Sequence, residues 1–178
     1  MDASSAFQDS LPIHPDALRT TLRELGLAFE EFTHPPLRTV ADSKAYRDGF
    51  LTKEDGGAHI KNLYLRDKKK QNFLAVIEED KEVDLKALGA AMGAGRVSFG
   101  SADRLLEHLG VRPGAVTPLA MMQGSKSGVT LGIDEDVLSA KLVYMHPLVN
   151  DQTIAMRPDD LLTFLAHVNV TPITLTIA

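Results

Sequence analysis

Three side chains stand out as able to do chemistry. In the run Ile60-Lys61-Asn62-Leu63-Tyr64-Leu65, a lysine and an asparagine enter an otherwise apolar strand-like segment. Alternate residues of a strand share a face, so Lys61 groups with Leu63 and Leu65, and Asn62 with Tyr64 and Arg66. If the leucine face is the core, Lys61 enters the interior at the start of the strand. A lysine there loses hydration and is suited to bind an anion or stabilise developing negative charge. Pattern alone favours the other reading, in which it reaches out to solvent along its alkyl stem. His146 closes the apolar run Leu142–Met145 and precedes Pro147, which ends a strand ladder and starts a turn. A histidine at such a strand end either borders a cleft or is merely hydrogen-bonded in place. On the inward reading, Lys61 points into the cleft that His146 borders, and Asn62 fixes the adjacent backbone.

Other signatures fail. Gly93, Gly95 and Gly100 lack the last spacing of a dinucleotide fingerprint, because position 98 is serine. Gly124-Ser125-Lys126-Ser127-Gly128 has lysine where a nucleophile elbow needs serine, and serine where a phosphate loop needs glycine. The six histidines form no HExxH-like pair, and no metal or cofactor is expected. The chain has no cysteine, which excludes disulfides, thiolate zinc sites and a cysteine nucleophile.

These residues must be positioned by a folded domain. At 178 residues, 44% apolar and 24% charged, the chain reads as one globular domain. Residues 1–11 read as a flexible tail and 12–178 as the domain. No apolar run is long enough to span a membrane, and the N-terminal segment does not read as a signal peptide, so a cytoplasmic location is expected. The net charge of −5 argues against wrapping of duplex DNA. Segments 60–66 and 72–78 flank a polar turn and predict a β-hairpin, with Arg66, Lys68 and Lys69 at its tip. These cations either meet phosphates or solvate a turn. Helices are expected at 14–26, 39–49, 84–93, 101–110 and 158–169. Short strands fall at 27–34, 96–100, 129–136, 141–147, 153–158 and 172–178. The segment 113–128, with Thr117-Pro118, reads as a loop long enough to line a pocket. The class is α+β (mixed α/β), with a largely buried mixed sheet flanked by helices.

Four stretches together resemble the YbaK/prolyl-tRNA editing family: HPPLRTVADS at 34–43, KNLYLRDKKKQNFLAVI at 61–77, RVSFGSADRLLEHLGVRPGAVTPLAMM at 96–122 and LVYMHPLVNDQT at 142–153. They are most similar to its free-standing ProX-type branch, which deacylates Ala-tRNA(Pro) in trans. The resemblance implies a metal-independent hydrolase acting on the CCA acceptor end of tRNA(Pro), with prolyl-tRNA synthetase as a transient partner. It carries the family's functional lysine, asparagine and histidine onto Lys61, Asn62 and His146. It puts Thr117, Pro118, Pro147 and Asn150 near the substrate, and Arg66, Lys68 and Lys69 near the tRNA. It leaves open a Cys-tRNA(Pro) or other aminoacyl-tRNA deacylase, or a non-catalytic tRNA-binding module of the same fold. An aminoacyl ester is already activated, so the protein needs only to place water and stabilise the oxyanion. Rejection of proline calls for steric exclusion, with pocket walls expected in 113–128 and the second helix.

Overall fold

The computed structural model describes residues 1–178. Eight strands form one mixed sheet: β1 (Glu30–Thr33), β2 (Gly57–Asp67), β3 (Asn72–Glu78), β4 (Val97–Phe99), β5 (Thr130–Asp134), β6 (Leu142–Met145), β7 (Gln152–Met156) and β8 (Ile173–Leu175). The order is β1-β7-β6-β2-β3-β5-β8, with β4 added to the outer part of β2. The hairpin β2–β3 is antiparallel, whereas β2–β6, β3–β5 and β5–β8 are parallel.

The sheet is buried on both faces. In β3, Leu74 and Val76 enter the larger core, while Phe73, Ala75 and Ile77 enter a smaller one. The larger core is covered by α1 (Pro15–Glu24), α4 (Ala102–Leu109), α5 (Met121–Gly124), α6 (Glu135–Leu138) and α7 (Pro158–His167). The smaller is covered by α3 (Leu85–Ala91), through Leu88. Local chemistry fixes the helix starts. Pro15 and Pro158 occupy first turns, and Asp84 and Ser101 cap α3 and α4 with side-chain oxygens. The αL residue Gly110 ends α4.

The helix α2 (Val40–Lys44) differs from the rest. Thr39 and Asp42 form a reciprocal capping box, yet none of its residues is buried. Helix α2 is therefore held by its ends and by ion pairs rather than by packing.

Two segments differ from the sequence expectation. Residues 1–11 do not trail away: Ser5–Ser10 forms a 3₁₀ turn, Ala3 is buried, and its carbonyl accepts from Asn150 N–H at 2.8 Å. Ser5 Oγ donates to Asp151 at 2.5 Å. The segment's polarity is used up in these bonds, which composition cannot reveal. Within the expected loop 113–128, Pro118–Ala120 and α5 form two helical turns whose apolar residues Leu119, Ala120 and Met121 are fully buried.

Candidate active site

Strand β2 is the spine of the site. One edge pairs with β3 along most of its length. The other edge is shared: β6 covers Gly57–His59 and β4 covers Leu65–Asp67. Between these two neighbours the sheet is split. A cavity of about 210 Å³ fills the split, lined among others by Leu37, Arg38, Lys61, Asn62, Gly114 and His146. A smaller inner chamber of about 60 Å³ shares Leu37, Ser43, Ile60, Asn62 and His146 with it. Phe50, His59, Tyr144 and Thr153 close the inner end.

His146 is held in one tautomer. Its Nδ1 lies 2.7 Å from the Gln152 carbonyl, which can only accept, so Nδ1 carries the proton and Nε2 keeps its lone pair. Burial pushes the pKa of His146 below its ordinary 6.5, aided by nearby His34, and the ring is neutral at pH 7. The His34 ring is 6.1 Å away, its Nε2 2.7 Å from Thr153 Oγ1. The turn after His146 is tight: buried Leu148 sits at φ 70°, a conformation rare for a branched side chain. Asn150 then clamps the cavity wall in both directions. Its carbonyl accepts from Leu37 N–H, and its Nδ2 donates to the Leu37 carbonyl, both at 3.0 Å.

Asn62 reaches both chambers. Its Oδ1 is buried and receives no hydrogen bond from the protein. A buried amide oxygen left so carries a cost of about 1–3 kcal/mol unless a ligand donates to it. Lys61 lies on the other face of β2. Its Nζ donates to the Lys81 carbonyl, and it meets the cavity at the outer rim beside Arg38. Lys61 shares its face of β2 with His59, on which Tyr144 of β6 stacks, whereas Asn62 shares its face with Ile60 and Tyr64; Asn62 lines both chambers and Lys61 only the outer one. Two buried faces make the parity of a strand insufficient to choose the side of the cleft.

The acidic residue of the cavity, Glu79, is neutralised. Arg47 grips it with two bonds of 2.6 Å and reaches Ser43 Oγ at 3.1 Å. Behind the inner chamber, Phe50, Tyr144 and His59 stack, with centroids 4.4 and 4.9 Å apart. Tyr144 Oη accepts from Leu51 N–H at 2.6 Å, and His59 Nε2 lies 2.8 Å from the Leu51 carbonyl. No group of three or more His, Asp or Glu side chains is arranged to hold a metal ion.

The structure brings Lys61, Asn62 and His146 to one cavity. It does not bring Thr117 and Pro118 there. Both are buried, and Thr117 Oγ1 accepts from Leu119 N–H as a cap. The 113–128 segment contributes Gly114 and Val116 instead. Gly114 has φ +95°, and a Cβ there would stand 3.1 Å from Asn150 Nδ2. Pro147 lines a separate polar hollow with Arg19 and Gln152, and Asn150 buttresses Leu37 rather than lining the cavity. Arg66, Lys68 and Lys69 sit at the far end of the hairpin; Arg66 is about 17 Å from Lys61 along the strand. The wall expected from the second helix is there, in Thr39, Val40 and Ser43. Missed in sequence were Leu37, Arg38, Ile60, the Arg47–Glu79 pair and the aromatic stack. Only the last left a trace, as aromatic or imidazole residues at 50, 59 and 144 in three separate segments.

Residues 34–164 match the model of the aminoacyl-tRNA editing domain. The chain belongs to that family. Among relatives of this editing domain, the prolyl-tRNA editing protein ProX of Acetoanaerobium sticklandii is 30% identical over 146 residues, covering 82% of this chain and 86% of that one. The prolyl-tRNA synthetase associated domain-containing protein 1 of Danio rerio is 31% identical over 160 residues, covering 89% and 84%. In fold, the editing domain is similar to the crystal structure of hypothetical protein APE2540, with TM-score 0.70 and 22% identity over 90% of this chain and 97% of that one. The split in the sheet lies within the matched residues, as do Lys61, Asn62 and His146.

Proposed function

We propose that this chain is a trans-editing hydrolase that removes alanine from mischarged tRNA(Pro). The observation that carries the reading is the inner chamber of about 60 Å³, entered past the unpartnered Oδ1 of Asn62 and the free Nε2 of His146. A small apolar side chain suits such a space, and this reading assigns the rejection of proline to its walls. The relatives named for prolyl-tRNA editing and for association with prolyl-tRNA synthetase support the choice of tRNA.

The reaction adds water across the ester. Water attacks the carbonyl carbon, the bond to the terminal ribose oxygen breaks, and that oxygen leaves with one of the water's protons while the amino acid departs as its carboxylate and the second proton passes to solvent. Neutral His146 accepts a hydrogen bond from the water or from the neighbouring ribose hydroxyl at Nε2. Arg38 and Lys61 at the rim supply positive charge for the terminal phosphates. The ester is activated, so no protein nucleophile enters the scheme. The hairpin cations Arg66, Lys68 and Lys69 face the paired acceptor stem.

Single-turnover hydrolysis of alanyl-tRNA(Pro) by His146→Ala and Asn62→Ala tests the site. Each should slow ester loss by about 100-fold or more with folding intact. Parent-like rates from both would remove this cavity from the chemistry.

A further inference from the structure

Strand β2 has one residue whose main chain is bare. Main-chain groups of successive strand residues point to opposite edges. Glu79 N–H donates to the His59 carbonyl at 2.9 Å, and Asp67 N–H to the Gln71 carbonyl at 3.1 Å. With Lys61 opposite Ile77 and Leu63 opposite Ala75, the odd-numbered residues of β2 are thereby turned to β3. The even-numbered residues face the other way, as Gly100 N–H donating to the Tyr64 carbonyl at 3.0 Å shows. On that edge β6 ends its ladder at His59 and β4 begins its own at Leu65. Asn62 falls in between. Its N–H and C=O point into the split, and neither is bonded to the protein. Its side-chain Oδ1 is buried there, also without a partner. One residue thus offers one donor and two acceptors to whatever enters.

An aminoacyl ester is the complement of such a residue. It carries a donor, the α-ammonium, and an acceptor, the carbonyl oxygen, at the spacing of a strand residue. In an antiparallel ladder two opposed residues exchange both bonds, and their side chains stand on the same face. We propose that the aminoacyl group docks as a single added strand residue opposite Asn62, its carbonyl oxygen accepting from Asn62 N–H and its α-ammonium donating to the Asn62 carbonyl and Oδ1. This rests on the deacylase reading and states how that site holds its substrate.

Two consequences follow. The substrate side chain takes the Asn62 face of the sheet, where Ile60 and Met145 line the inner chamber. Selection by size is then a result of strand register rather than of loop shape. The Asn62 N–H is also aimed at the oxygen that gains charge when water attacks, so it acts as an oxyanion donor on a rigid strand. Main-chain recognition of this kind leaves no side-chain signature in sequence.

The test removes that N–H and keeps the side chain. The α-hydroxy analogue of asparagine is incorporated at position 62, which replaces the amide by an ester. In single-turnover hydrolysis of alanyl-tRNA(Pro), kcat should fall about 100- to 1000-fold, as for loss of one oxyanion donor, with KM within about 3-fold. The same replacement at position 65, whose N–H is turned to the β3 ladder and whose preceding carbonyl lies outside the split, should lower the melting temperature but leave kcat within about 3-fold. The second arm needs no variant: N-acetyl-alanyl-tRNA(Pro), which lacks the ammonium, should be hydrolysed at least about 10-fold more slowly than alanyl-tRNA(Pro) by the unmodified protein. A position-62 ester that turns over within twofold of the parent, or equal rates on the acetylated and free substrates, overturns the docking mode alone. Failure of the unmodified protein on alanyl-tRNA(Pro) overturns the deacylase reading, and the docking with it.

Discussion

Arg47→Ala should cost the protein much of its stability and open the wall of its site. The guanidinium makes two bonds of 2.6 Å to Glu79, whose side chain is 4% exposed, while Arg47 itself is 20% exposed. Truncation strands a buried carboxylate and also removes the bond to Ser43 Oγ. Breaking a buried pair from one side costs about 3–5 kcal/mol, and the partial exposure of Arg47 places this case near the lower end, at about 3. For a chain of this length that corresponds to a drop of about 6–12 °C in melting temperature. The double variant Arg47→Met with Glu79→Met removes both charges together and should return most of the loss, because no unpaired ion remains. The functional effect follows from α2, which buries no residue and is otherwise tied down by the exposed pair Lys44–Asp80 at 3.0 Å. Hydrolysis of alanyl-tRNA(Pro) by Arg47→Ala, measured below its melting range, should fall through loss of the ordered Leu37–Ser43 wall. Thermal denaturation followed by circular dichroism decides the energetic part. A loss under about 0.5 kcal/mol, or a double variant as unstable as the single, would refute the reasoning.

Burial holds the pKa values of His146 and His59 below 6.5, so the unfolded chain binds more protons than the folded one in mild acid. Stability should be fully present above about pH 6.5 and fall as pH drops through the two depressed values; urea midpoints at pH 7.5 and 5 measure this, and an equal midpoint contradicts it. Ester hydrolysis should fall over the same acidic range as His146 Nε2 is protonated, and a pH–rate profile of the parent reads this directly. Ile60→Ala enlarges the inner chamber and should raise the prolyl-to-alanyl rate ratio by about 10-fold or more, measured on the two charged forms of tRNA(Pro). Lys68→Ala with Lys69→Ala should reduce the salt slope of uncharged tRNA binding by about one to two, with the rate on a short alanyl-adenosine ester unchanged.

The elements were legible where chemistry is local. The hairpin at 60–66 and 72–78, the Pro-started helices α1 and α7, and the capped helices α3 and α4 follow from turn residues, caps and periodicity. Strand β2 begins three residues earlier than its pattern, at Gly57, because Gly57 and Ala58 pair with β6 across a long loop in sequence. The three central site residues were legible as polar intrusions into apolar runs, together with family resemblance. Their division of labour was not. Lys61 and Asn62 occupy opposite faces of a sheet buried on both, and alternation alone cannot tell which core the cleft adjoins. The role of Asn150 was hidden for a different reason: its bonds go to the main chain of Leu37, a residue 113 positions away. The split that exposes Asn62 arises from where two unrelated strands stop, a property of sheet topology with no sequence mark of its own.

The most direct test of the account is ester release by the purified protein from tRNA(Pro) charged in turn with alanine, cysteine and proline. Rapid loss of alanine above the buffer rate, with prolyl-tRNA left intact, is the expected result. Release of none of the three, or of proline as fast as alanine, would contradict it.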